Sequence, residues 1–117
     1  IIISANFISE IGNKKDISDK MIEIKRMREN SQPLRTKTSG STFKNPPNNF
    51  AAKLIEQAGC KGLKVGDACV SDKHANFLIN TNNASANQIE ELGNKVIDKV
   101  YDKFNIKLNW EVKIIGE

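Results

Sequence analysis

Apolar positions along this chain follow two periods. Between Asp16 and Asn30, Ile17, Met21, Ile24 and Met27 recur at spacings of four, three and three, one stripe of a helix. Asp16 is the candidate N-cap, Asp19 adds negative charge to the first turn, and Pro33 sets the latest end. Ala51, Leu54, Ile55 and Ala58 share the face of a second, shorter helix, which Asn48 or Asn49 would cap and Gly59 would close. Ser85 to Gln88 reads as a capping box opening a third helix, with Ile89, Leu92, Val96, Val100 and Phe104 on one side. The period changes to two at the end: Ile106, Leu108, Trp110, Val112 and Ile114 alternate with Lys107, Asn109, Glu111 and Lys113, predicting a strand. Residues 1–9, rich in Ile and Phe, predict another. KGLKVGDACV predicts two short strands around a turn, and HANFLIN a buried strand. Ser31–Asn49, punctuated by Pro33, Gly40, Pro46 and Pro47, has little periodicity and reads as a loop with a short strand. This order predicts an α+β fold: a mixed, largely antiparallel sheet covered by about three helices.

Composition narrows the class. The chain has 117 residues, enough for one domain with one core, and its 38% hydrophobic and 27% charged content argues against disorder of the whole. No apolar run approaches the roughly 18 residues of a membrane helix. The opening IIISANFIS lacks the basic stretch of a signal peptide. It begins without methionine and reads as the continuation of a longer protein. The net charge of +4 is spread along the chain and aromatics are 6%, so no stacking platform for nucleic acid is expected; a phosphate-bearing small molecule suits the charge equally well. Cys60 and Cys69 lack CxxC spacing and have one histidine for company, so they read as reduced core thiols of a cytosolic protein and not as zinc ligands.

The candidate chemistry centres on SGSTFKNP, residues 39–46. Ser41 is either a turn residue feeding a short strand or a hydroxyl exposed to a ligand. GSTF does not fit the G-x-S-x-G elbow, and His74 alone does not make a nucleophilic serine. Proton donation remains; it needs neighbours that tolerate the alkoxide left behind, and Lys44, Arg35 and Arg28 are near in sequence. By pattern alone, Glu111 is a solvated strand carboxylate beside Lys113, His74 a hydrogen-bonded structural group, and Asn45 a turn former before Pro46. The residues by themselves give a soluble α+β domain with a basic, glycine-bearing loop, and no reaction.

Three ordered strings, GSTFKNP, AAKLIEQAGCKGLKVGDACVSDKHANFLIN and EVKIIG, closely resemble the C-terminal part of the UDP-N-acetylenolpyruvoylglucosamine reductase family, and the resemblance covers essentially the whole chain. It implies that residues 1–15 are a strand and turn ending a preceding FAD-binding domain, and that 16–117 form a C-terminal substrate-binding domain. It implies a cytoplasmic, monomeric flavoenzyme of peptidoglycan synthesis. NADPH reduces FAD, and hydride passes to the enolpyruvyl group of UDP-N-acetylglucosamine enolpyruvate to give UDP-N-acetylmuramate. Hydride at C3 leaves negative charge at C2, where a proton must follow. Matched residue by residue, Ser41 takes the place of the family's proton donor and Glu111 that of the glutamate stabilising the enolic intermediate. Asn45 matches a substrate-binding asparagine, with Lys44 beside it. His74 matches a polar position facing substrate, and Arg28 an arginine suited to the diphosphate. A lysine that some members carry at the position of Ser31 is absent. The family's catalytic arginine and nearly all flavin contacts lie outside this sequence. No cofactor-binding or metal-binding residue is therefore assigned here, and the chain alone is expected to be inactive. The alternative is a stand-alone phosphate-ligand or nucleic-acid binding module without catalysis.

Overall fold

The structure, a computed structural model, describes residues 1–116. Three helices, α1 (Lys14–Ser31), α2 (Ala51–Gln57) and α3 (Ala86–Phe104), accompany four strands, β1 (Lys37–Ser41), β2 (Lys64–Val65), β3 (Ala68–Val70) and β4 (Phe77–Asn80). The strands form one sheet in the order β1-β4-β3-β2, antiparallel throughout. The α+β class holds, and among the described residues no parallel pair is mixed in. α3 lies across β2, β3 and β4, and α2 packs beside α3. Between them sit Phe43, Leu54, Ile55, Val70, Leu78, Leu92, Val96, Val100 and Leu108, all buried. Burying each such side chain contributes about 1.5–3 kcal/mol, so this cluster dominates the stability of the domain.

Helix boundaries follow local hydrogen bonding. α1 is capped by Asn13, not Asp16: Asn13 is extended, and its Oδ1 accepts from the amides of Lys15 (2.9 Å) and Asp16 (3.3 Å). Asp16 lies within the first turn, where its charge still complements the dipole. α2 is preceded by Phe50, which gives no side-chain cap. The amide of Ala51 is taken by Asn45 Oδ1 at 2.9 Å, so neither Asn48 nor Asn49 has the predicted role. Gly59 does adopt the left-handed turn after α2. The capping box of α3 forms as read, with Ser85 and Gln88 bonded reciprocally.

Two predicted strands do not form. Residues 1–13 carry no regular structure. A strand needs a neighbour's N–H and C=O groups, and among the described residues none pairs with them. The stripe of α1 exists but stays open: Ile17, Met21, Ile24 and Met27 are between 43 and 67% exposed, and among the described residues α1 packs on no other helix or strand. Residues 106–113 sort their faces as the alternation requires, with Leu108 buried, Ile106, Trp110 and Val112 half-buried, and Lys107, Asn109, Glu111 and Lys113 exposed; the chain bends at Glu111-Val112, and Ile114 beyond the bend is exposed, not turned inward. The ladder amounts to one bridge, Phe43 to Trp110. Its partner segment runs straight into Pro46-Pro47, which donate no N–H to extend it.

Trp110 anchors that bridge. Its ring lies 5.0 Å from that of Phe43 and rests directly on α3 at Gly93. A Cβ at Gly93 would come within 2.0 Å of Trp110 Cη2. Gly93→Ala should gain about 1 kcal/mol of helix propensity and lose about 1–3 kcal/mol to overpacking, a net destabilisation. Urea denaturation should show that loss, and the emission of the single tryptophan should shift as the ring is displaced. Unchanged emission with a gain in stability would contradict this packing.

Candidate active site

The sheet delivers Ser41 through a distortion. β1 and β4 pair Thr38 with Ile79 and Ser41 with Phe77, so β1 takes three steps where β4 takes two. The extra residue is a bulge at Ser39-Gly40, and Gly40 has φ +90°, a conformation that disfavours any side chain. The strand is thereby turned, and Ser41 stands exposed at its end. Directly after it, Thr42 and Phe43 are buried: Thr42 Oγ1 accepts from the amide of Leu78 at 3.2 Å, and the Phe43 ring enters the core.

A distant segment completes the arrangement. The amide of Lys44 donates to Asn109 O, and that of Glu111 donates to Thr42 O, both at 2.8 Å. These two bonds hold Glu111 beside the Ser41–Lys44 strip. The result is a cleft of about 380 Å³ lined by Ser41, Lys44, Asn45, His74 and Glu111, with Phe43, Phe50 and Asn76 among its walls. Five of the seven residues singled out from the sequence meet here. Arg28 does not: it lies in the last turn of α1, beside a separate depression with Met21, Ile24 and Leu34. Arg35 lines another, of about 560 Å³, with Glu29, Asp72 and Lys73.

The cleft groups have distinct chemical capacities. Ser41 offers a rotatable O–H. Lys44 brings a cation and Glu111 a carboxylate; among the described residues, the ion pairs are Lys61 with Glu56 and Lys95 with Glu91, so both cleft charges face the opening unpaired. Asn45 has spent its oxygen on capping α2, which leaves its NH₂ for a ligand. The ring of His74 packs edge-on against Phe77, centroids 4.6 Å apart, and its Nδ1 accepts from the amide of Asn76 at 3.3 Å. In the neutral ring the proton is therefore on Nε2, a donor. Burial pushes the His74 pKa down and Lys61 adds to the lowering, while a backbone hydrogen bond opposes them.

Sequence reading passed over Thr42, Phe43 and Asn76, which build the cleft without offering exposed chemistry. An aromatic inside a polar loop and an asparagine inside an apolar run were the available signals. Cys60 and Cys69 are buried and free, and burial raises both thiol pKa values, which keeps them protonated. Among the described residues, no group of three or more His, Cys, Asp or Glu could hold a metal ion, and no helix is long and apolar enough to cross a membrane.

Comparison with known proteins gives this cleft a setting. Residues 32–115 match the family described as UDP-N-acetylenolpyruvoylglucosamine reductase, C-terminal domain. The chain belongs to that family. A UDP-N-acetylenolpyruvoylglucosamine reductase of Anaplasma marginale is 45% identical over 116 residues, covering 99% of this chain and 39% of the relative. One of Rhodopseudomonas palustris is 52% identical over 116 residues, covering 99% and 37%. The crystal structure of UDP-N-acetylenolpyruvylglucosamine reductase from Thermus caldophilus superposes with a TM-score of 0.69 at 40% identity, covering 85% of this chain and 35% of that one. This reductase-family domain thus spans under two fifths of these relatives' length. The match begins at residue 32, after α1.

His74 is the only histidine of this reductase-family domain, which makes its titration readable. Its folded pKa lies below the unfolded value of about 6.5. The unfolded chain therefore binds the proton more readily, and the stability that neutral His74 supports is present above about pH 6.5 and lost as pH falls through the folded value. Melting temperature measured across this window should fall on acidification in the wild type and fall less in His74→Gln. Equal slopes in the two proteins would contradict a half-buried His74 that is held neutral.

Proposed function

We propose that this chain is the substrate-binding part of a longer protein that reduces UDP-N-acetylglucosamine enolpyruvate to UDP-N-acetylmuramate in cytoplasmic peptidoglycan synthesis. The observation that carries the reading is the convergence of Ser41, Lys44, Asn45, His74 and Glu111 on one cleft in a domain of this family. Residues 1–15 would end a preceding FAD-binding domain, and 16–117 would form the substrate domain. That preceding part would cover the apolar stripe of α1, which is open here.

The residues of this chain do not fit a flavin. At about 380 Å³ the cleft lies at the small end of ligand pockets, about 300–1,000 Å³. The positive-φ glycines Gly59, Gly62 and Gly66 sit in turns between short elements, and none opens a helix onto a dinucleotide phosphate. Hydride, from NADPH by way of FAD, would arrive from outside this chain. What the chain contributes is binding and a proton. Lys44 attracts the anionic substrate, and the free NH₂ of Asn45 and the Nε2–H of His74 donate hydrogen bonds. Once C3 has gained hydride, the electron pair rests at C2 and in the attached carboxylate. Ser41 gives its O–H proton to C2, forming the C–H bond, and the alkoxide recovers a proton from solvent. Glu111, protonated or bridged by a hydrogen bond, stabilises the enolic oxygen as charge develops. Arg28 would serve the diphosphate only after α1 and the cleft are brought together by the preceding part. Alone, the chain would have no turnover.

In the full-length protein, Ser41→Ala should slow product formation by about 10²–10⁴, the usual range for losing a general acid. Bleaching of the flavin by NADPH should keep its wild-type rate, because that half-reaction needs no proton at C2. Ser41→Cys should recover part of the loss. Stopped-flow absorbance separates the two steps. Equal slowing of both by Ser41→Ala would make Ser41 a structural residue of its turn.

A further inference from the structure

The backbone from Ser41 to Lys44 leaves the sheet before it reaches the bridge with Trp110, and one residue stands in for the missing strand on that side. Asn76 is only 4% exposed. Its backbone carbonyl accepts from the amide of Thr42 at 2.8 Å. Its side-chain Oδ1 accepts from the amide of Phe43 at 2.9 Å, and its Nδ2 donates to Phe43 O at 2.8 Å. Its own amide donates to His74 Nδ1 at 3.3 Å. All four polar groups of Asn76 are thus engaged with residues lining or flanking one cleft. A side chain able both to donate and to accept at Phe43 must be an amide of this length. An aliphatic residue would leave a buried N–H and C=O unpaired.

We infer that Asn76 is a positioning residue for the proposed reaction: it clamps the peptide groups following Ser41, so that the serine hydroxyl is aimed into the cleft, and through the same residue it fixes the ring of His74. The inference rests on the reading of Ser41 as proton donor. General packing would not need this arrangement. The Phe43 ring is already held by the core and by Trp110. What Asn76 adds is control of backbone orientation at the residues adjoining Ser41, where a displacement of about 1 Å can cost about 10² in rate.

The test is a double-mutant cycle in the full-length protein, reading kcat and KM for the UDP-sugar. Asn76→Ala should lower kcat by up to about 10²-fold with a smaller effect on KM. In a Ser41→Ala background, where no donor remains to be aimed, the same change should have little further effect on kcat. Asn76→Gln keeps both a donor and an acceptor for Phe43, displaced by one methylene. It should show the same non-additivity with a smaller loss, and it serves if the alanine variant does not fold. If Ser41→Ala is slow but the Asn76 variants slow both backgrounds alike, Asn76 is merely structural and this inference falls. If Ser41→Ala turns over like the wild type, the reading of Ser41 falls and the inference with it.

Discussion

Two backbone hydrogen bonds, Lys44 N–H to Asn109 O and Glu111 N–H to Thr42 O, hold the functional half of this molecule together. They join segments more than sixty positions apart, and no longer ladder supports them. The bridge persists because its two central residues are aromatic and pack against each other at a tilt, and because one of them is seated on a helix that has no side chain at Gly93. Core packing therefore does what strand pairing does elsewhere. The carboxylate of Glu111 and the hydroxyl of Ser41 share a cleft as a consequence of how Phe43 and Trp110 are buried.

The same economy recurs on the other side of the strip. Residues that offer chemistry to the cleft are also tied into the fold: Asn45 begins α2, and His74 rests on Phe77 with its Nδ1 occupied. These ties fix protonation and orientation before a ligand arrives, which lowers the ordering cost of binding. Lys44 and Glu111, by contrast, are exposed and, among the described residues, form no ion pair.

Much of the fold was legible where a local signal decides it. The Ser85–Gln88 box, the stop at Pro33, the left-handed Gly59 and the face of α3 are all fixed within a few residues of chain. The alternation correctly sorted inside from outside over residues 106–113, though not at the exposed Ile114, and it overstated pairing, because periodicity does not report the presence of a neighbouring strand. Residues 1–9 failed for the same reason. The stripe of α1 was read correctly as a stripe and still lies open, since amphipathicity does not name what covers it. β1 was barely visible because its bulge breaks the period at the point where Ser41 is aimed. At the site, motif resemblance found the side chains that face the cleft. Asn76 and Gly93 escaped because their significance lies in Phe43 and Trp110, which contact them only in the folded chain.

The central claim is that Ser41–Asn45, His74 and Glu111 act as one binding surface. Amide chemical shifts of the isotope-labelled chain, followed during titration with UDP-N-acetylglucosamine, test it most directly. The account predicts that the amides of Ser41, Lys44, His74 and Glu111 move together and fit a single dissociation constant. Shifts confined to the cavity around Arg35 and Lys73, or a Glu111 amide that stays still while Ser41 moves, would contradict it.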